Sequence, residues 1–176
     1  MDCSGMKKFI QSLSADEASR VLRELLNDSP AILKKVYDIA KIVAGDVDAD
    51  GIAGDVFCEL DALDMDDLSG RAGRTQYGYV EPHEAAWDIF EEALNPYINE
   101  MKKNQQRALP AVAKAYCIGI IKGLLNYEAD ASSDFKGWVT DAPGEYVDTV
   151  VEEWKKGNPD DNDIAEVMSV VKGGRQ

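Results

Sequence analysis

The stretch AVAKAYCIGIIKGLL, residues 111–125, constrains this chain more than any other part of it. Its apolar residues fall on almost every side of a helix, so a helix here has no face to give to water and belongs at the centre of other helices. Lys114 and Lys122 interrupt the run, which is also short of the ~20 apolar residues a membrane span needs, so a buried helix is expected. Pro110 suits its first turn. Gly119 and Gly123, four residues apart, lie on one face and let a second helix approach closely.

The rest of the chain supplies helices with a single apolar face. Ser14 and Glu17 form a capping box ahead of Ala18, Val21, Leu22, Leu25 and Leu26 at helical spacing. Ser29 and Pro30 open a second helix through Ile32, Leu33, Val36, Tyr37, Ala40 and Val43 that stops at Gly45, and the short join predicts an antiparallel hairpin. A third buries Ile52, Val56, Leu60 and Leu63 and turns Asp55, Glu59 and Asp66 toward water. The stretch LSGRAGRTQYGYVEP reads as a long, turn-rich loop. Helix resumes at Pro82, with Pro96 expected to kink or break it, and the SSDFKGW stretch is a short connecting turn. Two further helices follow, one between Pro143 and Gly157, the other from Asn158 and Pro159 to Gly173. No segment alternates with period two and no internal repeat is present. The expected architecture is all-α: residues 1–176 as a single-domain bundle or short superhelix of six to eight helices packed as antiparallel hairpins.

Charge narrows the partners. A formal net charge of -14 makes bare nucleic acid and anionic membranes poor partners and leaves a basic protein partner as the expectation. Cys3, Cys58 and Cys117 are odd in number and widely spaced, and no secretory segment opens the chain, which together imply a reducing, cytoplasmic setting.

Few residues suggest chemistry. In GDVDADGIAGDVFCEL, Asp46, Asp48, Asp50 and Gly51 stand at the first, third, fifth and sixth places of an EF-hand loop, but the twelfth, normally a bidentate Glu, is Phe57. The other reading is that Asp48 or a neighbour caps the third helix, with acidic groups at its positive end. His83 with Glu84 begins an HExxH pattern that fails at Trp87. Glu81 with Glu84 and Glu145 with Asp148 have the spacing of magnesium-binding carboxylate pairs, although no basic or glycine-rich phosphate cradle accompanies them. One histidine and no GxSxG turn give a Ser-His-Asp system no support. Cys117 belongs to the apolar helix and Cys58 stands beside acids, so neither is a favoured thiolate. Arg71, Arg74, Tyr77 and Tyr79, with His83 just beyond, form the most suggestive contact surface: two cations and two tyrosines after an acidic segment suit an anionic ligand or a partner carboxylate. Alternatively, the arginines fold back on the acids before them.

The segments DVFCELDALDMDDLSGRAGRTQYGYVEPHEAAWDIFEEALNPYINEM and AYCIGIIKGLLNYE, most particularly GRTQYGYVEPHEAAW, resemble the helical region that accompanies SWIM zinc fingers in prokaryotic proteins. The resemblance covers roughly residues 46–155. The Cys-x-Cys and Cys-x-His pieces of the finger are absent, so zinc binding is not implied. What the resemblance implies is a helical, non-catalytic module. The chain is accordingly expected to be an interaction or scaffold module with no catalytic residue and no cofactor. Two alternatives stay open: a magnesium-dependent all-α nucleotide hydrolase using the Glu/Asp pairs, and an irregular calcium-binding module through residues 46–57.

Overall fold

A computed structural model of the chain describes residues 3–45, 47–75 and 78–174. Among them are nine α-helices, one 3-10 helix and one two-stranded ribbon, so the chain is all-α, as its periodicity implies. Its contacts fall into two compact units, Met1–Ala44 and Gly45–Gln176, where the sequence suggests one domain.

The first unit holds α1 (Cys3–Gln11), α2 (Ala15–Leu26) and α3 (Pro30–Gly45), which reaches the boundary. Local signals explain where α2 and α3 begin. The Ser14 hydroxyl accepts from the Glu17 backbone N–H at 3.3 Å, and the Glu17 carboxylate accepts from the Ser14 N–H at 2.9 Å. That backbone bond, followed by the one from the Ser14 hydroxyl, holds the Glu17 carboxyl below its usual range. Ser29 accepts from the Ile32 N–H at 3.3 Å over the first turn of α3. The caps are in order, yet none of the side chains described in residues 4–43 is buried. The helices of this compact unit therefore keep their apolar side chains at least partly in solvent.

The second unit is built round α7 (Pro110–Asp130), which buries residues on every side, from Val112 through Cys117 and Ile121 to Tyr127. Four helices pack on it: α4 (Ala49–Asp61), α6 (Pro82–Gln106), α8 (Ala142–Lys155) and α9 (Asp161–Gly174). The most extensive contact is α4 on α7. Gly119 and Gly123 make it possible: a Cβ at Gly119 would lie 2.6 Å from Ile52 Cβ and 2.9 Å from the Ala49 carbonyl oxygen, and one at Gly123 2.6 Å from Val56 Cβ. The Phe90 ring stands 5.5 Å from that of Tyr127 and 5.6 Å from that of the partly buried Tyr146. A fully buried side chain such as Phe90 contributes roughly 1.5–3 kcal/mol relative to exposure.

Local differences from expectation have physical causes. Of the kink or break expected at Pro96, the break does not occur: α6 continues through it. Pro96 and Glu92, whose carbonyl has no N–H partner there, both lie on the solvent side, where the lost bond costs less than in the core. The supposed loop 68–82 instead contains the end of α5 (Met65–Arg71) and the ribbon of β1 (Gly73–Thr75) and β2 (Gly78–Val80). Helix α5 is capped by Asp64, which accepts from the N–H groups of Asp66 and Asp67 at 2.8 and 3.0 Å. With α1 and α5 added, the helices exceed the six to eight expected. SSDFKGW forms a 3-10 turn at Asp134–Trp138, tied to the end of α4 because the Asp61 carboxylate accepts from the N–H groups of Ser132 and Ser133 at 2.8 and 3.2 Å.

Candidate functional site

The acidic entrance to α4 is a helix start. Asp48 is its N-cap, accepting from the Asp50 N–H at 3.0 Å, and every place of the EF-hand pattern from Ala49 onward is helical. The Asp50 carboxylate turns to Lys122 on α7, 2.6 Å away, not toward Asp48. Asp46 lies outside the described residues. Helix formation thus removes the flexible loop of oxygen ligands that calcium requires. Among the described residues no group of three or more His, Cys, Asp and Glu side chains is placed to hold a metal ion. That applies equally to Glu81, Glu84, Glu145 and Asp148, which the fold does not gather into one ligand set.

Of the expected contact residues, the ribbon sets Arg74 and Tyr79 together, while Arg71 ends α5 and His83 stands in the first turn of α6. Gly73 and Gly78 sit at φ +98° and +141°, which only glycine adopts without strain, and they bound a register that sets Arg74 opposite Tyr79. Tyr79 is 64% exposed and Arg74 is exposed beside it. Arg71 pairs with Glu92 on α6 at 2.7 Å, not with the acids that precede it in sequence. Both partners are about half exposed, so the pair contributes little, ~0–1 kcal/mol. The His83 Nδ1 lies 3.0 Å from the Trp138 carbonyl oxygen, and its ring meets Trp87 edge-on at 5.9 Å. His83 therefore joins the start of α6 to the backbone of the 3-10 turn, at Trp138, a residue partly open to solvent. Tyr77 lies outside the described residues. The ribbon presents a cation and a phenol side by side, which suits binding and supplies no general base or nucleophile.

A cavity of about 390 Å³ went unseen in the sequence. It lies where the α6–α7 and α8–α9 turns meet, lined by Gln105, Ala108, Pro110, Trp154, Asn158 and Asp163. Both turns carry a non-glycine residue in the left-handed region, Ala108 at φ 54° and Asn158 at φ 53°. Two of its polar side chains are already committed. Gln105 Nε2 donates to the Trp154 carbonyl at 2.6 Å, and Asp163 accepts from Lys114 at 2.7 Å. The Lys114 ammonium also reaches Glu166 at 2.8 Å, and the bonds to Asp163 and Glu166 hold its pKa above the usual lysine value. The residue pattern x-Pro after a helix marks both turns, but only the fold brings them together.

The thiols divide cleanly. Cys117 is buried on α7, where burial pushes its pKa up to about 12, and Cys58 is exposed; both are free. Tyr146 is likewise raised, by burial first and then by Glu91, Asp88 and Glu145 around it. These shifts favour neutral groups, the reverse of an activated nucleophile. Among the described residues no helix is long and apolar enough to cross a membrane. The chain matches no protein-family model, no curated protein and no solved structure.

Proposed function

We propose that this chain is a non-catalytic interaction or scaffold module, working in a cytoplasmic setting, whose second unit receives a basic protein partner. The observation that carries the proposal is the distribution of charge. Residues 45–176 hold 27 acidic against 12 basic residues, so the excess negative charge lies wholly in that unit. Asp48 and Asp64 cap helices and Asp55 and Glu59 stand exposed on α4, and among the described residues no such group is placed to hold a metal ion. A fixed acidic field of this kind steers a basic surface into place and gives a salt-dependent on-rate. The exposed Arg74–Tyr79 pair offers a local contact within that field. The resemblance of residues 46–155 to the helical region beside SWIM zinc fingers supports the same non-catalytic reading.

The test is retention of protein partners from a native extract by the intact chain at low and at moderate salt, followed by titration of the purified partner. Binding should weaken by tenfold or more as salt rises from about 50 to about 200 mM, and weaken further in the variant Asp55→Asn, Glu59→Gln, Asp66→Asn. Repeated failure of a well-folded preparation to retain any protein, or binding indifferent to salt and to the triple variant, overturns the proposal.

A further inference from the structure

We infer that the chain pairs with a second copy of itself through the apolar faces of α1, α2 and α3. These helices leave Phe9, Ile10, Leu22, Leu26, Tyr37 and Ile42 exposed, from 43% at Leu26 to 74% at Ile42. A single exposed apolar side chain is ordinary; a run of them on three successive helices with no buried side chain among the described residues is not.

Size, area and charge each select the occupant. A unit of 44 residues is close to the limit of ~40 below which a helical core closes only with help from a metal, a disulfide or oligomerisation. A second copy supplies a matching set of apolar faces, and one two-fold axis satisfies both sets at once. The large apolar side chains of this unit leave on the order of 1,000 Å² in solvent per chain over all their faces, so an interface of the standard ~800 Å² per partner would cover most of it. Charge then separates a copy of this chain from other partners. Residues 1–44 contain seven Lys and Arg against six Asp and Glu, interspersed along the helices. Two such units meet without the repulsion that two acidic second units would impose, so self-contact belongs here and not on residues 45–176. The same balance lacks the cationic excess by which interfacial helices hold an anionic lipid surface.

Sedimentation equilibrium of the intact chain tests the inference, from about 1 to about 200 µM and at low and high salt. The expected result is a mass near twice 19.3 kDa at the upper concentrations, with a dissociation constant unchanged or tighter at high salt because burial of apolar area drives it. Leu22→Glu with Leu26→Glu, and separately Ile42→Glu, should each weaken pairing at least tenfold. All three tryptophans, Trp87, Trp138 and Trp154, lie in the second unit, so their fluorescence unfolding curve shows that its fold is unaffected by these substitutions. A monomer at every concentration, a dimer untouched by both variants, or a monomer that instead floats with phosphatidylserine vesicles would each overturn the inference. Its salt response is opposite to that expected for the basic partner, so the two proposals fail separately.

Discussion

Residues 1–44 and 45–176 are built from the same material and end differently. Helix α2 has a full capping box and apolar residues at helical spacing, as good a local specification as any helix of the second unit, yet nothing in it is buried. Helix α4 has an ordinary aspartate cap and buries Ile52, Ala53, Val56 and Leu60. What separates them is α7, a helix apolar all round that gives four others a surface to close on. Amphipathic helices supply one apolar face each; a core needs something that faces all of them. Charge follows the same division, because a unit with a closed core tolerates a large excess of surface carboxylates, whereas an unclosed one gains from near neutrality.

Substitutions can break that contrast, beginning with the largest effect. Phe90→Ala removes a fully buried ring from between Tyr127 and Tyr146 and should cost about 3–5 kcal/mol in urea unfolding followed by tryptophan fluorescence. By contrast, Leu22→Ala in α2 should leave that transition within about 0.5 kcal/mol of wild type. Equal losses from the two would mean that the units share one core.

Gly119→Ala should cost about 1–3 kcal/mol, because the new methyl meets Ile52 Cβ and the Ala49 carbonyl, which are a branch point and backbone, not flexible side-chain ends. Gly54→Ala, where a Cβ meets nothing within 4 Å, should be neutral or slightly stabilising, since it only raises helix propensity. A Gly119→Ala variant as stable as wild type would remove the close α4–α7 approach as an organising contact.

A smaller effect is confined to alkaline pH. The Cys117 thiol is raised to about 12 in the folded chain from an ordinary value near 9.0, so its contribution is complete below pH 9. Above that the unfolded thiol ionises while the folded one does not, and stability falls until about pH 12. Lys114, also raised, adds loss in the same direction at the top of this range. Thermal melts at pH 7, 9 and 10.5 should show the decline, and Cys117→Ala should flatten the part that begins near pH 9. A melt unchanged by the substitution across that range would mean that the Cys117 site is open to water.

Much of the fold was readable from particular residues. Ser14 with Glu17, Pro30, Pro82 and Pro110 mark helix starts because each satisfies or removes an orphan N–H locally, and the structure begins its helices there. Gly119 and Gly123 announced a close helix approach, though not which helix would make it. The ribbon was missed because two strands of three residues are too short to show a period of two, and α1 because Met6, Phe9 and Ile10, although at helical spacing, make little more than one turn of pattern. At the candidate sites, Asp48 as a cap was legible from its place before a helical face, whereas the Arg71–Glu92 pair and the cavity between two turns depend on distant segments meeting.

Sequence alone determined the helical class, the helix starts, the central place of α7 and the acidity, since each is a property of neighbours along the chain or of composition. Tertiary structure decided which apolar faces close. Val21 and Val56 occupy equivalent places in their helical patterns; Val56 meets Gly123 across a close helix pair and is lost to water, while Val21 remains about half exposed. Periodicity records that a helix has a face to bury, and only the packing of distant segments supplies the surface that buries it.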